Sequence, residues 1–280
     1  MGSPMTAMST LAPTNLSERT GLRDTLRHTG ALIRRNLLST KATPEELLDV
    51  TFFPIIMTIM FTYVFGGGLK SSVPGGNYIE YLIPGIFVQM LSFGSIGVGI
   101  KLNSDFDKGL MDRFRSLPIA RVSVLSAHLV SSVLRLLLAS LITFTVATCL
   151  GFRVHTNVAE FFAGILLLLV LGFGVSWLSL YVGTVVRSPQ AVQGVLNIAL
   201  FPLMFCSSIF TSVSTMPGWL QAFAKVNPLT TAADAARALM VGGNKAGFEL
   251  GNNAWITVLW AVGMSLVFAP LALRAYNRHV

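Results

Sequence analysis

The amino-acid sequence predicts an all-α protein that crosses a membrane six times. Only 11% of its 280 residues are charged and 53% are hydrophobic, whereas about 25% of the residues in a soluble domain are charged. The polar residues come in separate blocks between long apolar stretches, so the apolar stretches must face lipid or each other. Lysine and arginine are concentrated in some of these blocks, and this asymmetry orients the spans.

Six apolar stretches are long enough for a bilayer core, which needs about 20 residues per helix. The second contains Gly94, Ser95, Gly97 and Gly99, small residues that allow close contact between helices. We expect a cytoplasmic segment over 1–49, a six-helix membrane unit over 50–273 and a cytoplasmic tail over 274–280. The predicted spans lie at about 50–68, 82–100, 122–150, 161–185, 190–211 and 253–273.

The distribution of basic residues predicts that both termini are cytoplasmic. Fourteen lysines and arginines lie before span one and after spans two, four and six, against five in the loops on the other side. Positive charge accumulates on the cytoplasmic side of membrane proteins. The remaining basic residue, Arg135, lies inside the third apolar stretch. We expect its side chain to snorkel to the cytoplasmic interface, with a role in a dimer contact or a transport path as the alternative.

The segment before span one has apolar and basic residues on different faces of a predicted helix. This pattern predicts an amphipathic helix in the cytoplasmic headgroup layer. An ordinary solvated helix that packs on protein is the alternative. The apolar positions are Leu22, Leu26, Ile33 and Leu37, and the basic positions are Arg23, Arg27, Arg34 and Arg35.

Two short external helices are predicted over about 215–243, between spans five and six. Thr215 is a candidate cap for the first helix, with Pro217 in its first turn. Asn227 and Pro228 interrupt the helical pattern. A second helix is then expected to run to a stop at Gly242 or Gly243, with both helices reaching the outer leaflet.

The sequence offers no catalytic or metal-binding motif. A phosphate loop needs glycine immediately before its lysine, but Leu69 precedes Lys70. The four histidines are scattered, without metal-ligand spacing. The spans carry no carboxylates, which disfavours a transporter coupled to protons or sodium. We therefore expect a protein that is not an enzyme by itself and that binds no metal and no nucleic acid.

A short amphipathic helix is predicted over about 102–117, in the cytoplasmic loop after span two. Phe106, Leu110, Phe114 and Leu117 form one apolar stripe, and Pro118 ends the pattern. Such a helix is suited to a groove on another protein, and its mixed charge favours protein over anionic lipid. A loop that only anchors two spans is the alternative. The charged positions on its other sides are Asp105, Asp107, Lys108, Asp112, Arg113 and Arg115.

Three stretches, "YLIPGIFVQ", "LNSDFDKGLMDRFRSLPIAR" and "MPGWLQAFAKVNPLT", carry a family resemblance. With their order and spacing, the chain from about 45 to 275 resembles the permeases of the ABC type-2 exporter family, in particular the daunorubicin/doxorubicin resistance permeases of actinobacteria. The resemblance implies a six-span subunit of the bacterial plasma membrane that forms a homodimer and binds two copies of a separate ATPase. The ATPase would bind ATP and magnesium, and this chain no cofactor.

The same resemblance implies that the loop after span two carries the coupling helix that docks on the ATPase. The implied coupling residues are Phe106, Lys108, Asp112, Arg113, Phe114 and Arg115.

The function implied by the resemblance is ATP-driven export of lipophilic, anthracycline-like drugs or of lipids. Aromatic and methionine side chains on spans two and five suit an adaptable apolar path, although their spacing also fits ordinary helix packing. Export of a native cell-envelope lipid or a polysaccharide is one alternative, and a scaffold or channel subunit without ATP coupling is another. The candidate path residues are Met90, Phe93, Asn197, Phe201, Met204 and Phe205.

Overall fold

The computed structural model describes residues 30, 32–34, 36, 45–69, 73–74, 77–109, 121–242 and 250–279. All regular structure in these residues is helical, as predicted. Helix α1 continues as a π turn over Phe61–Phe65 and a short helix over Gly66–Leu69. The helices are α1 (Glu45–Met60), α2 (Tyr78–Gly94), α3 (Ile96–Asp107), α4 (Arg121–Cys149), α5 (Val158–Val185), α6 (Pro189–Phe205), α7 (Gly218–Val226), α8 (Pro228–Arg237) and α9 (Leu250–His279).

Four helical stretches in the described part of the chain are long and apolar enough to cross a membrane. They correspond to predicted spans two, three, four and six. The other two predicted spans fall on shorter apolar helices, Phe52–Val64 and Pro189–Phe205. At 1.5 Å per residue, the 17 residues of α6 cover about 25 Å, less than the roughly 30 Å of a bilayer core. The four longer stretches are Tyr78–Asp107, Ser123–Cys149, Val158–Val185 and Leu250–Arg278.

Helices α2 and α3 form one helical unit in the centre of the bundle, with a break at Ser95. In the most apolar part of this unit 83% of the residues are buried, compared with 17% for α9 at the periphery. The Ser95 hydroxyl oxygen lies 2.7 Å from the Leu91 carbonyl oxygen and 2.9 Å from the Gly172 carbonyl oxygen of α5. This hydrogen bonding ties the break to α5.

Glycines allow the backbones of α3 and α5 to touch. A Cβ atom added to Gly99 would clash with the carbonyl oxygen of Ser179, and one added to Gly183 would lie 2.5 Å from the Gly99 carbonyl oxygen. Close contact through small residues of span two, as predicted, is confirmed at Gly99. At the end of α5, Asn103 of α3 donates to the carbonyl oxygens of Gly183 and Val186. The two helices are therefore held together along their length.

The described part of the segment before α1 packs on the protein. Leu32 is buried in an apolar cluster with Leu125 of α4 and Tyr276 of α9. Asn36 is also buried, whereas Arg34 is exposed. This packing favours the alternative of a helix that lies against protein. Of the residues that defined the predicted amphipathic helix, Leu22, Leu26, Leu37, Arg23, Arg27 and Arg35 lie outside the described residues.

The two short helices predicted after span five are present as α7 and α8, but their environments differ. Helix α7 exposes Trp219 and Phe223. Helix α8 is buried against α2, α5 and α9. Its small alanine and threonine side chains allow it to fit between larger helices. The external position of the two helices stays a prediction. The side chain of Asn227 caps α8 by accepting from the Leu229 N–H, and Thr215 caps neither helix.

Candidate functional site

The predicted coupling helix over 102–117 is not one continuous helix, because α3 ends at Asp107. Lys108 is the C-cap residue, and Gly109 adopts a positive φ of 66°. The Gly109 N–H donates to the carbonyl oxygen of Phe106 at 3.0 Å, the glycine-terminated end that stops many helices. Residues 102–107 therefore extend the span-two helix. The other implied coupling residues, Asp112, Arg113, Phe114 and Arg115, lie outside the described residues, and their role stays a prediction.

The two described coupling candidates lie at the end of α3 in different environments. Phe106 packs its ring against Tyr276 of α9, with 5.7 Å between ring centroids. Lys108 is exposed. Phe106 thus holds the end of α3 against α9.

Asp105 was predicted on the charged outer side of the coupling helix, but the structure buries it. One oxygen of its carboxylate lies 3.4 Å from Nε2 of His128 on α4, and the two side chains are 10% and 2% exposed. This contact joins α3 to α4. The sequence did not indicate it, because the two residues belong to different predicted elements and neither falls in a recognisable motif.

Arg135 does not snorkel to the interface, because its side chain is buried inside the bundle at 8% exposure. Its Nη2 donates to the carbonyl oxygen of Gly94 at 3.1 Å, where α2 ends at the Ser95 break. A Cβ atom at Gly97 would lie 2.5 Å from the same Nη2. The absent side chain at Gly97 makes room for the guanidinium, and the carbonyl at the break provides its acceptor.

Five phenylalanines form a continuous row, which we call the aromatic row. They come from the π turn after α1, from α2, from α6 and from the turn after α6. Phe93 meets Phe201 edge to face at 5.1 Å between centroids, and Phe201 stacks on Phe205 at 6.2 Å. Phe205 contacts Phe210, which stacks on Phe61 at 4.4 Å. Phe201 and Phe205 are 40% and 60% exposed. The row therefore presents an apolar aromatic surface along α6.

The structure brings together only some of the candidate path residues. Phe93, Phe201 and Phe205 belong to the aromatic row. Met90 and Met204 are buried in the main apolar core, where the Thr143 hydroxyl contacts the Met90 sulfur at 3.3 Å. In this structure, these two methionines pack against other apolar side chains of the core. Asn197 is half-buried on α6. A transport path along these residues stays a prediction.

A buried arginine, Arg237 at the end of α8, organises a polar cluster that sequence reasoning did not identify as a site. We call this cluster the Arg237 clamp: Tyr81, Ser208, Asp234 and Arg237. Arg237 is 0% exposed. Its Nε donates to the Tyr81 carbonyl oxygen at 2.9 Å, and its Nη1 lies 2.6 Å from the Asp234 carboxylate. Its Nη2 donates to the Ser208 carbonyl oxygen at 2.7 Å.

The Arg237 clamp holds three parts of the chain in one place. The guanidinium carbon lies 3.7 Å from the centroid of the Tyr81 ring, a cation–π arrangement. The Tyr81 hydroxyl donates to the Ser208 carbonyl oxygen at 2.8 Å. Helix α2, the turn after α6 and helix α8 are therefore fixed together. The available sequence signal was the run of small residues around Asp234 and Arg237, which is typical of a tightly packed helix.

The bundle, with four described helices long enough to cross a bilayer, defines a polytopic membrane protein. Residues 27–241 match the family model described as ABC-2 type transporter. The chain belongs to that family, and the resemblance noted from the sequence is confirmed. It is therefore a multi-pass protein of the bacterial plasma membrane and part of an ABC transporter that includes an ATPase.

Several relatives are similar over most of their length. The daunorubicin resistance ABC transporter permease protein DrrB1 from Streptomyces coeruleorubidus is 37% identical over 243 residues, covering 87% of this chain and 83% of the relative. The doxorubicin resistance ABC transporter permease protein DrrB from Mycobacterium tuberculosis is 28% identical over 201 residues, 69% of each chain. The probable doxorubicin resistance ABC transporter permease protein DrrC from the same species is 25% identical over 250 residues, 88% of each. These relatives are named as permease subunits, which are not themselves catalytic.

Proposed function

We propose that this chain is the membrane subunit of an ATP-driven exporter of lipophilic, anthracycline-like drugs. The observation that carries the proposal is its 37% identity, over 87% of its length, to a permease named for daunorubicin resistance. Anthracyclines combine a flat aromatic ring system with an amine. An apolar aromatic surface such as the aromatic row is chemically suited to flat aromatic cargo, because rings stack favourably on rings.

The proposed assembly contains two copies of this chain and two copies of a separate ATPase polypeptide, which binds ATP and magnesium. The chain spans the membrane six times with both termini in the cytoplasm, in accordance with its charge asymmetry. The shorter helices α1 and α6 provide spans one and five. Helix α6 leaves Ile198, Phe201 and Phe205 exposed in the single chain. A second copy of the chain would cover such a surface and would place two aromatic rows close to each other.

In the proposed mechanism, ATP-driven closure of the ATPase pair moves the segment that follows α3. The implied contacts are Phe106 and Lys108 at the helix end and Asp112, Arg113, Phe114 and Arg115 beyond it. Because α3 is locked to α5 through Gly99 and Gly183, the movement passes into the membrane bundle. The two permease copies then repack along their seam, and the cargo moves outward from the inner leaflet or the cytoplasm.

The test is cargo-dependent ATP hydrolysis by this chain reconstituted with its ATPase in lipid vesicles. We expect daunorubicin to stimulate hydrolysis in a saturable way. We also expect Phe201→Ala to raise the half-maximal daunorubicin concentration about fivefold, because loss of one aromatic contact costs about 1 kcal/mol. Phe162→Ala, which removes an exposed phenylalanine of α5, is the matched control and should leave that concentration unchanged.

One result would contradict the proposed cargo, and another would contradict the role of the aromatic row. Stimulation by bacterial envelope lipids, with none by daunorubicin, would favour export of a native lipid. An equal effect of Phe201→Ala and Phe162→Ala would remove the aromatic row from the path while leaving drug export intact.

A further inference from the structure

The side-chain amide of Gln89, in the middle of α2, is buried without a hydrogen-bond partner in the part of the chain that the structure describes. Gln89 is 1% exposed, and neither its Oε1 nor its Nε2 is hydrogen-bonded. Among the described residues, it is the one buried side chain with two such atoms. The hydroxyl of Ser92 is 0% exposed and also lacks a described partner. Residues three apart are neighbours on a helix surface, so Gln89 and Ser92 form one polar pair.

An unpaired amide is costly at the depth of Gln89 in the membrane. Gln89 lies eleven residues after Tyr78, where α2 begins, which is about 16 Å along the helix at 1.5 Å per residue. This position is well inside a bilayer core of about 30 Å. Water does not pair with polar groups at that depth, so the amide pays its full desolvation cost. Such a group calls for an explanation beyond packing.

Gln89 faces α6 and the turn that follows it. Side chains four residues apart lie on one face of a helix, and the residues at this spacing from Gln89 are Gly85 and Phe93. A Cβ atom at Gly85 would lie 2.6 Å from the Ile209 carbonyl oxygen in the turn after α6. Phe93 meets Phe201 of α6 edge to face. Gln89 therefore lies between two contacts with this part of the chain.

The buried face of α6 cannot satisfy the amide. The side chains on this face have no oxygen and no N–H group. Apolar surfaces of this kind can separate without leaving polar groups unpaired, whereas an amide between them gains partners when they separate. In the state that the structure shows, a helix that cannot pair with Gln89 covers it. The buried residues of α6 are Val192, Leu196, Leu200 and Met204.

We propose that Gln89 and Ser92 hydrogen-bond the transported drug when α6 moves away from α2. The inference rests on the proposed export of flat aromatic drugs and adds the polar contacts that select among them. Phe93 of the aromatic row lies one helical turn from Gln89, so rings stacked on the row would bring their substituents to the amide. The amide offers an acceptor oxygen and two N–H donors, and the hydroxyl can donate and accept. These groups fit aromatic rings that carry carbonyl and hydroxyl oxygens, as those of anthracyclines do.

Gln89→Met tests the stability side of this proposal, because methionine keeps the length of glutamine and removes its amide. Equilibrium unfolding of the purified chain in detergent micelles should show a more stable variant. We expect its unfolding constant to be about tenfold smaller, because two unpaired buried atoms are gone. Gln193→Met makes the same change at an exposed position of α6 and should leave the unfolding constant unchanged.

Daunorubicin-stimulated ATP hydrolysis in vesicles, with the partner ATPase, tests the binding side. We expect Gln89→Met to raise the half-maximal daunorubicin concentration about fivefold, the usual contribution of one hydrogen bond between neutral groups. Gln89→Asn keeps an amide and should raise it less. Gln193→Met should not change it. Greater stability together with a weaker response to the drug is the expected result for Gln89→Met, whereas loss of a purely structural glutamine would lower stability.

Three outcomes would overturn the inference. If Gln89→Met is no more stable than the unaltered chain, the amide has a partner in this state. If the variant is more stable but responds to daunorubicin like the unaltered chain, Gln89 does not meet the drug, and the exporter function stands. If daunorubicin fails to stimulate even the unaltered chain, the proposed export of this drug fails and the inference fails with it.

Discussion

Arg237→Met is expected to lower the free energy of unfolding by about 3–5 kcal/mol, the usual cost of removing one partner from a buried charged pair. Methionine has nearly the length of arginine but no donors. The substitution would leave the carboxylate of Asp234 and the carbonyl oxygens of Tyr81 and Ser208 without their charged partner. Carbonyl groups that lose their donors inside a membrane protein are costly because water does not replace them.

The measurement is equilibrium unfolding of the purified chain in detergent micelles. Arg153→Met, at an exposed position in the loop between α4 and α5, is the matched control and should change stability by less than about 0.5 kcal/mol. The loss of stability in Arg237→Lys should be smaller than in Arg237→Met and larger than in Arg153→Met. An ammonium group keeps the charge but lacks the planar guanidinium that reaches several acceptors. A loss of less than about 1 kcal/mol for Arg237→Met would contradict the clamp as a stabilising element.

Gly99→Ala is expected to remove the coupling of ATP hydrolysis to this chain and to destabilise it by about 3 kcal/mol, near the upper end for overpacking. The new methyl group would clash with the Ser179 carbonyl oxygen and would also lie 2.8 Å from the Ser179 carbonyl carbon. These are backbone atoms, so a change of rotamer cannot relieve the contact. Helix α3 would have to move away from α5, and the segment that follows α3 would move with it.

Gly194→Ala provides the matched control for this substitution. Gly194 is also in a helix, but a Cβ atom there would meet nothing within 4 Å. Alanine is favoured over glycine inside a helix by up to about 1 kcal/mol, so this control should be slightly stabilised and should keep full ATPase stimulation. If both variants behave alike in unfolding and in hydrolysis, the contact between α3 and α5 is not essential.

Composition and charge patterning were sufficient to predict the all-helical class and the four long membrane helices. These features follow from local physics, since an apolar stretch of about 20 residues has few stable alternatives in lipid. The close helix contact at Gly99 could also be predicted, because small residues in a membrane span indicate helix packing. The end of α3 was missed. The apolar stripe from Phe106 onward continues past Gly109, and periodicity alone does not show that this glycine takes a positive φ.

The polar contacts inside the bundle could not be predicted from the sequence. Arg237 and Tyr81 are separated by 156 residues, and nothing local links them. Arg135 was expected to reach the interface, because a charge inside a span is costly unless it finds acceptors. Its acceptor is the Gly94 carbonyl at the break between α2 and α3, and that break becomes visible only in three dimensions. Pairings across the bundle depend on how the helices pack, which the one-dimensional pattern does not specify.

Coupling through the segment after α3 is tested by measuring ATP hydrolysis by the separate ATPase alone, with the unaltered chain and with the chain carrying Phe114→Asp. We expect the unaltered chain to stimulate hydrolysis and Phe114→Asp to abolish the stimulation, since a charge on the apolar stripe cannot enter a hydrophobic groove. Ser116→Asp adds the same charge beside the stripe and should preserve stimulation. Full stimulation by folded Phe114→Asp would contradict the claim that the segment after α3 couples this membrane subunit to ATP.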